Sequence, residues 1–204
     1  DPEVAVAAFL AHRARSMGQG TSPVADDTLA ATGLIPGVQW PKPAVDETRA
    51  LDGLEESQVW TQIAPRLGLS HDGAAYGVAQ YAFTEMLNNA IDHSAGATVR
   101  IRVWRTDTRM LFEITDNGLG VFEHVATGLG LPGPLQAIAE LTKGKVTTAE
   151  DAHSGEGIFF TSKAVEVFRL AANRLVWTVD NHRNDTAAGS SSLTVGTQVV
   201  FELD

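Results

Sequence analysis

The stretch ATVRIRVWRTDTRMLFEITDNGLG, residues 97–120, restricts the fold more than any other part of the chain. Val99, Ile101 and Val103 alternate with Arg100 and Arg102. Met110, Phe112 and Ile114 alternate with Glu113 and Thr115. Both halves carry the period of two expected of strands with one face on a core. The short link Thr106-Asp107-Thr108 turns the chain between them. A parallel pair needs a crossover of roughly a dozen residues or more, so these strands form an antiparallel hairpin.

Helical patterns surround the hairpin. A helix is expected from Asp72 or Gly73 to Ser94-Ala95-Gly96, with Ala79, Phe83, Met86, Leu87 and Ala90 on one side at about 100° per residue. Glu85, Asn89 and Asp92 share the other side. Such a row of oxygens can hold a hard cation and can orient or deprotonate a water. From this helix alone a solvated polar face is the commoner reading. A further helix spans Glu56 to Leu67, with Val59, Trp60 and Ile63 inward.

The front of the chain is less regular. Short helices are expected over Pro2–Arg15 and from Ser22-Pro23 to about Gly33. A helix-turn-helix there is disfavoured by its spacing and by Asp26-Asp27, and His12 reads as a surface histidine. Residues 34–55, with Pro36, Pro41 and Pro43, read as an irregular connector anchored by Trp40. The expected division is a short helical extension and connector over 1–50, then one domain over 51–204.

After the hairpin comes a long excursion over 121–155, with a helix from Gly133-Pro134 to Leu141 closed by Gly144 and an aperiodic loop beyond it. A helix from Glu156 to Ala164 follows, opened by Ser154-Gly155. Val165–Ala171 and Leu175–Val179 form a hairpin around Ala172-Asn173. A polar loop, NHRNDTAAGSSS, precedes a last strand, LTVGTQVVFEL. Strands in adjacent antiparallel pairs with helices between them imply an α+β fold. The expected architecture is a two-layer sandwich, its sheet mixed but mainly antiparallel and covered on one face by helices.

Composition narrows the function. A net charge of −10 disfavours a free-standing nucleic-acid binder, yet leaves room for a nucleotide neutralised by backbone N–H groups and Mg²⁺. The absence of cysteine excludes disulfides and thiolate metal sites, and the scattered histidines give no zinc spacing. No apolar run approaches the ~20 residues that cross a bilayer. The first residues lack a signal peptide's basic region and an initiator Met. The expectation is a fragment or processed chain, cytoplasmic by default.

Three short motifs carry chemistry. Asp116-Asn117-Gly118-Leu119-Gly120 follows a strand directly; its aspartate can accept from an exocyclic amine, and its glycines let backbone approach a flat ligand. An ordinary Asp-Asn-Gly turn would look the same. Ser154-Gly155-Glu156-Gly157-Ile158 opens a helix whose free N–H groups can cradle phosphate, with Lys143 and Lys145 upstream to close over it. A plain helix cap is the competing reading. Gly128-Leu-Gly130-Leu-Pro-Gly133 matches G-x-G-x-x-G, but Pro132 interrupts it and no βαβ unit surrounds it.

The order of Glu-x-x-x-Asn on a helix, Asp-x-Gly-x-Gly after a strand and Gly-x-Gly before a helix resembles the histidine-kinase-like ATPase superfamily (GHKL). This is the Bergerat fold of gyrase, Hsp90, histidine kinases and MutL. EMLNNAID resembles its N-box, DNGLG its G1 box and HSGEGIFF its G2 region, over about residues 75–203. YAFTEMLNNAIDHS, LTKGKVTTAEDAHSGEGIFFTS and GTQVVFEL look closer still to bacterial stand-alone ATP-binding proteins of the HATPase type. Those often carry a winged-helix segment before this domain and a STAS-like segment after it.

The resemblance implies ATP and Mg²⁺ as ligands. It implies that Asn89 ligates Mg²⁺, with Glu85 a second candidate ligand, and that Glu85 polarises the attacking water or hydroxyl. Asp116 would bond the adenine amine, supported by Thr197. Gly118 and Gly120 would shape the adenine pocket, and Gly155 and Gly157 would give lid backbone to the phosphates. Ser154, Ile158, Lys143 and Lys145 complete the expected nucleotide site; Asp92 and His93 have no assigned role. The implied activity is slow ATP hydrolysis or transfer of the γ-phosphoryl group to a regulatory protein partner. The alternative is a nucleotide-gated interaction module without catalysis. A histidine kinase core is disfavoured by the breakers in residues 1–75, and a gyrase-like or MutL-like machine by the lack of a following transducer.

Overall fold

The computed structural model describes residues 40–69, 73–144 and 156–204. The helices expected over 2–33, with His12, lie outside them. The chain order is β1 (Val45–Ala50), α1 (Glu56–Leu67), α2 (Ala74–His93), β2 (Thr98–Arg105), β3 (Met110–Asp116), α3 (Val121–Gly128), α4 (Pro134–Leu141), α5 (Gly157–Ala164), β4 (Val167–Ala172), β5 (Leu175–Asp180), β6 (Asp185–Ser190) and β7 (Thr197–Leu203).

The strands form one sheet in the order β1-β2-β3-β7-β4-β5-β6. Every pairing is antiparallel, so the sheet expected to be mainly antiparallel is antiparallel throughout the described residues. The β2–β3 hairpin sets Ile101 opposite Ile114 and Val103 opposite Phe112. The last strand inserts between β3 and β4, placing Ile114 opposite Val199 and Thr197 opposite Ala172.

The helices share one face of the sheet, and the core lies between the layers. Ala79, Ala82, Phe83, Met86, Leu87 and Ala90 of α2 are buried there, as the wheel requires. Phe83 meets Trp60 of α1 at a ring distance of 5.5 Å and Phe112 of β3 at 6.2 Å. Phe112 stacks on Phe201 at 4.9 Å. The Trp60 indole donates to the Tyr76 hydroxyl at 3.0 Å, so its one polar atom is satisfied on burial. Helix α1 ends at Gly68, whose φ of 57° suits glycine, and Arg105 donates to the carbonyl of Leu67 at that end.

Two edges depart from the sequence pattern. Residues 45–50, expected to be irregular connector, form β1 on β2, so a strand of the sheet precedes the boundary expected at 50–51. The polar loop expected over 181–192 contains β6, paired with β5. Edge strands are held by ladder hydrogen bonds on one side and need little apolar surface, so VDETRA and DTAAGS show no apolar period of two. The last strand begins at Thr197 rather than Leu193. Gly196, at φ 77°, turns the chain there, and Val195 is exposed.

The second face of the sheet is also buried at its centre. Glu113, Gln198, Glu202 and Arg169 lie there, beside Trp104, Leu111 and Val200, on which Trp40 packs. Glu113, expected on an outward face, is 1% exposed and bonds Arg102 Nε at 2.8 Å and Nη2 at 2.5 Å. Burial raises its carboxyl above the ordinary range, and Arg102 only partly offsets this. Arg169 donates to Gln198 at 2.7 Å on the neighbouring strand.

Candidate functional site

The site forms where α2 ends against the loop that follows β3. Helix α2 stops at Ser94, and Ala95 takes a φ of 53° as the chain turns into β2. The Ser94 hydroxyl accepts from Gly96 N at 3.0 Å, and its carbonyl accepts from Leu119 N at 2.8 Å. A Cβ on Gly118 would overlap that carbonyl, so glycine is required by close approach. Asn117 Oδ1 accepts from Ala97 N at 2.8 Å and Thr98 N at 2.9 Å. The Asp-Asn-Gly segment is thus a turn, and one welded to the end of α2.

Asp116 occupies the last position of β3 and is 7% exposed. Its Oδ1 accepts from Gly118 N at 2.8 Å and from Thr197 N at 3.2 Å. Burial raises its carboxyl above the ordinary value, while the bonds from Gly118 and from the Thr197 backbone and side chain pull the other way. With both backbone bonds on Oδ1, the second oxygen keeps capacity to accept from a ligand. Thr197 Oγ1 also accepts from Val121 N at 3.0 Å. Asp116, Gly118, Gly120 and Thr197 therefore come together as one unit.

Glu85 and Asn89 stand one turn apart on the partly exposed face of α2, and Asp92 is exposed beyond them. Glu85 lies against the start of α5, where a Cβ on Gly157 would overlap Glu85 Oε2. The Tyr81 hydroxyl is pushed above its ordinary value by burial first, then by the negative charges of Glu85 and Glu156. The Asn89 amide nitrogen is buried with no hydrogen-bond partner. Among the described residues no group of three or more His, Cys, Asp or Glu could hold a metal. Mg²⁺ commonly takes one or two protein oxygens, several waters and substrate phosphates. The carboxylate of Glu85, the carboxamide of Asn89 and the local negative charge fit that pattern.

The remaining expected residues divide. Lys143 pairs with Glu140 at 2.5 Å on an exposed turn after α4. Gly144, at φ 78°, lies against the Phe159 ring, so the end of α4 abuts α5. Ile158 is 8% exposed and its side chain packs in the core, so it would meet a ligand through its backbone. Lys145, Ser154 and Gly155 lie outside the described residues.

Several site residues escaped sequence reasoning. A Cβ on Gly196 would overlap the Asp116 carbonyl, and Gly196 N donates to Gly118 O at 2.9 Å. Helix α3 was hidden in the excursion, although Phe122, Val125 and Ala126 give it an apolar stripe. Its first turn has no capping side chain of its own; Thr197 of β7 and Asn173 of the β4–β5 turn cap it.

His93, at the end of α2, faces His124 of α3 with ring centroids 5.7 Å apart. Burial first, then the charge of His93, lowers the His124 pKa below its ordinary 6.5. A histidine with a depressed folded pKa contributes stability above its unfolded pKa and loses it as pH falls through the folded one. Thermal melts of the wild type are expected to show this loss below about pH 6.5. His124→Asn should flatten that part of the profile.

No helix among the described residues is long and apolar enough to cross a membrane. No curated protein matches the chain. The family model described as histidine kinase-, DNA gyrase B-, and HSP90-like ATPase matches residues 78–204, more than half of the sequence. That span holds most of α2, the Asp116 loop, α5 and the strand β7 that locks them together. The chain therefore belongs to the family of histidine kinase-, DNA gyrase B- and HSP90-like ATPases, with an ATP-binding domain of their α+β sandwich fold.

Proposed function

We propose that this domain binds ATP with Mg²⁺ through the residues gathered around Asp116 and along α2. It then either hydrolyses ATP slowly or transfers the γ-phosphoryl group to a protein partner, in a bacterial regulatory setting. The observation that carries this reading is the buried Asp116 carboxylate, held by Gly118 and Thr197 amides at the end of β3. A carboxylate so placed can take the exocyclic amine of adenine and distinguishes it from guanine, which presents an oxygen there. Gly118 and Gly120 let the loop close on Ser94 and Asn173, and so shape the adenine side of the site. Asn89, with Glu85 as the second oxygen donor, holds the metal. Bound Mg²⁺ supplies charge neutralisation to the phosphates.

Glu85 orients the attacking water or hydroxyl and accepts its proton. Phosphoryl transfer asks mainly for positioning and charge stabilisation, so a carboxylate on a rigid helix is suited to the task. Gly157 admits the Glu85 carboxylate beside the first turn of α5, and the backbone there is the expected phosphate contact with Gly155, Ser154, Lys143 and Lys145.

Calorimetric titration with ATP, ADP and GTP, with and without Mg²⁺, tests the reading. Adenine nucleotides should bind, Mg²⁺ should strengthen ATP more than ADP, and GTP should bind far more weakly. No binding of adenine nucleotides would overturn it. Binding without phosphate release, alone or with candidate partners, would favour the nucleotide-gated interaction module.

A further inference from the structure

We infer that Asn173, in the turn between β4 and β5, is a positioning residue for the adenine side of the nucleotide site. This inference rests on the ATP-binding reading above and extends it to a residue far from every motif. Asn173 and Arg174 form the two-residue turn of the hairpin, with φ of 51° and 65°. Positive φ at both positions is what a type I′ turn requires, and Asn tolerates it well. That need alone would account for the residue type.

The side chain does something the turn does not need. Asn173 Nδ2 donates to the Leu119 carbonyl at 3.0 Å, and Asn173 Oδ1 accepts from Glu123 N at 3.1 Å. Gly120, at φ 87°, lies against the same carboxamide, and any Cβ there would collide with it. One side chain therefore grips the loop on both sides of Gly120. It acts beside Thr197, which caps Val121 N and donates its own N–H to Asp116. The two meet because Ala172, just before Asn173, pairs with Thr197. Asp116 is thus held from β7, and the loop that faces it is held from the β4–β5 turn. The separation between them sets the space for a base.

This assignment makes Asn173 a determinant of base affinity and selectivity, not of phosphate binding. Asn173→Gly keeps the positive φ and removes both side-chain bonds. Asn173→Asp keeps the acceptor for Glu123 N but sets a carboxylate against the Leu119 carbonyl. Titration of the full chain should show ATP and ADP weakened equally by Asn173→Gly, by about tenfold. The ratio of ATP to GTP affinity should fall. Inorganic tripolyphosphate should compete as it does in the wild type, and Tm should drop by only about 2–4 °C. Asn173→Asp should lie between the wild type and Asn173→Gly in ATP affinity. A merely structural turn residue would leave the ATP to GTP ratio unchanged. Wild-type affinity and selectivity in Asn173→Gly would overturn the inference while leaving the ATP-binding reading intact. A wild type that binds no adenine nucleotide would overturn both.

Discussion

Asp116→Asn is expected to weaken ATP and ADP binding by about 10- to 100-fold while leaving the folded domain as stable as the wild type or more so. The substituted amide oxygen can still accept from Gly118 N and Thr197 N, so the loop keeps its bonds. What changes is the second position, where an NH₂ group would face the adenine amine, donor against donor. The stability side follows from the sign of the shift. Burial raises the Asp116 pKa, so the folded state binds that proton more tightly than the unfolded chain. Stability from this group is therefore present at low pH and lost as pH rises through the raised value. Near neutrality the buried charge costs stability, and Asn removes that cost.

Two measurements check this. Titration calorimetry reads the affinity and thermal melting at pH 7 reads the stability. Wild-type ATP affinity should also weaken as acid protonates Asp116, a dependence the Asn variant lacks. Full ATP affinity in Asp116→Asn would remove Asp116 from the adenine contact. Loss of folding would mean the carboxylate charge itself is structural, against the burial argument.

Glu85→Gln is expected to lower the rate of phosphate release or transfer by about 10²- to 10⁴-fold, with ATP affinity within a few-fold of the wild type. Gln has nearly the same volume, so the contact with Gly157 and the buried face of α2 are preserved. The ability to accept a proton is lost together with the negative charge, while an amide oxygen remains to face the metal. Single-turnover phosphate release, with binding measured in parallel, separates chemistry from affinity. An unchanged rate would deny Glu85 its role as base and leave the nucleotide-gated module as the better account. A large loss of affinity would instead make Glu85 chiefly a metal ligand.

Much of this domain was legible in its residues. The period of two and the four-residue link between β2 and β3 required an antiparallel hairpin. The uninterrupted run before Ser94 required a helix with Phe83, Met86 and Leu87 inward, and all three are buried. The same wheel set Glu85, Asn89 and Asp92 apart from the core. These features follow from local rules, because side-chain period depends only on the dihedral angles of the element itself.

Other features depend on contacts between segments distant in sequence. VDETRA and DTAAGS became strands because β2 and β5 offered free edges. Glu113 alternates as an outward residue would, yet it is buried beside Arg102, because the second face of the sheet is covered at its centre. Asp-Asn-Gly could have been any turn until Ser94, Gly196 and Thr197 were brought around it. Asn173 lies more than fifty residues beyond the Leu119 carbonyl that its side chain grips. Sequence by itself determined the elements and the polar face of α2. Only the tertiary structure decided which loops close around Asp116, since a hydrogen bond between segments far apart leaves no trace in the period of either one.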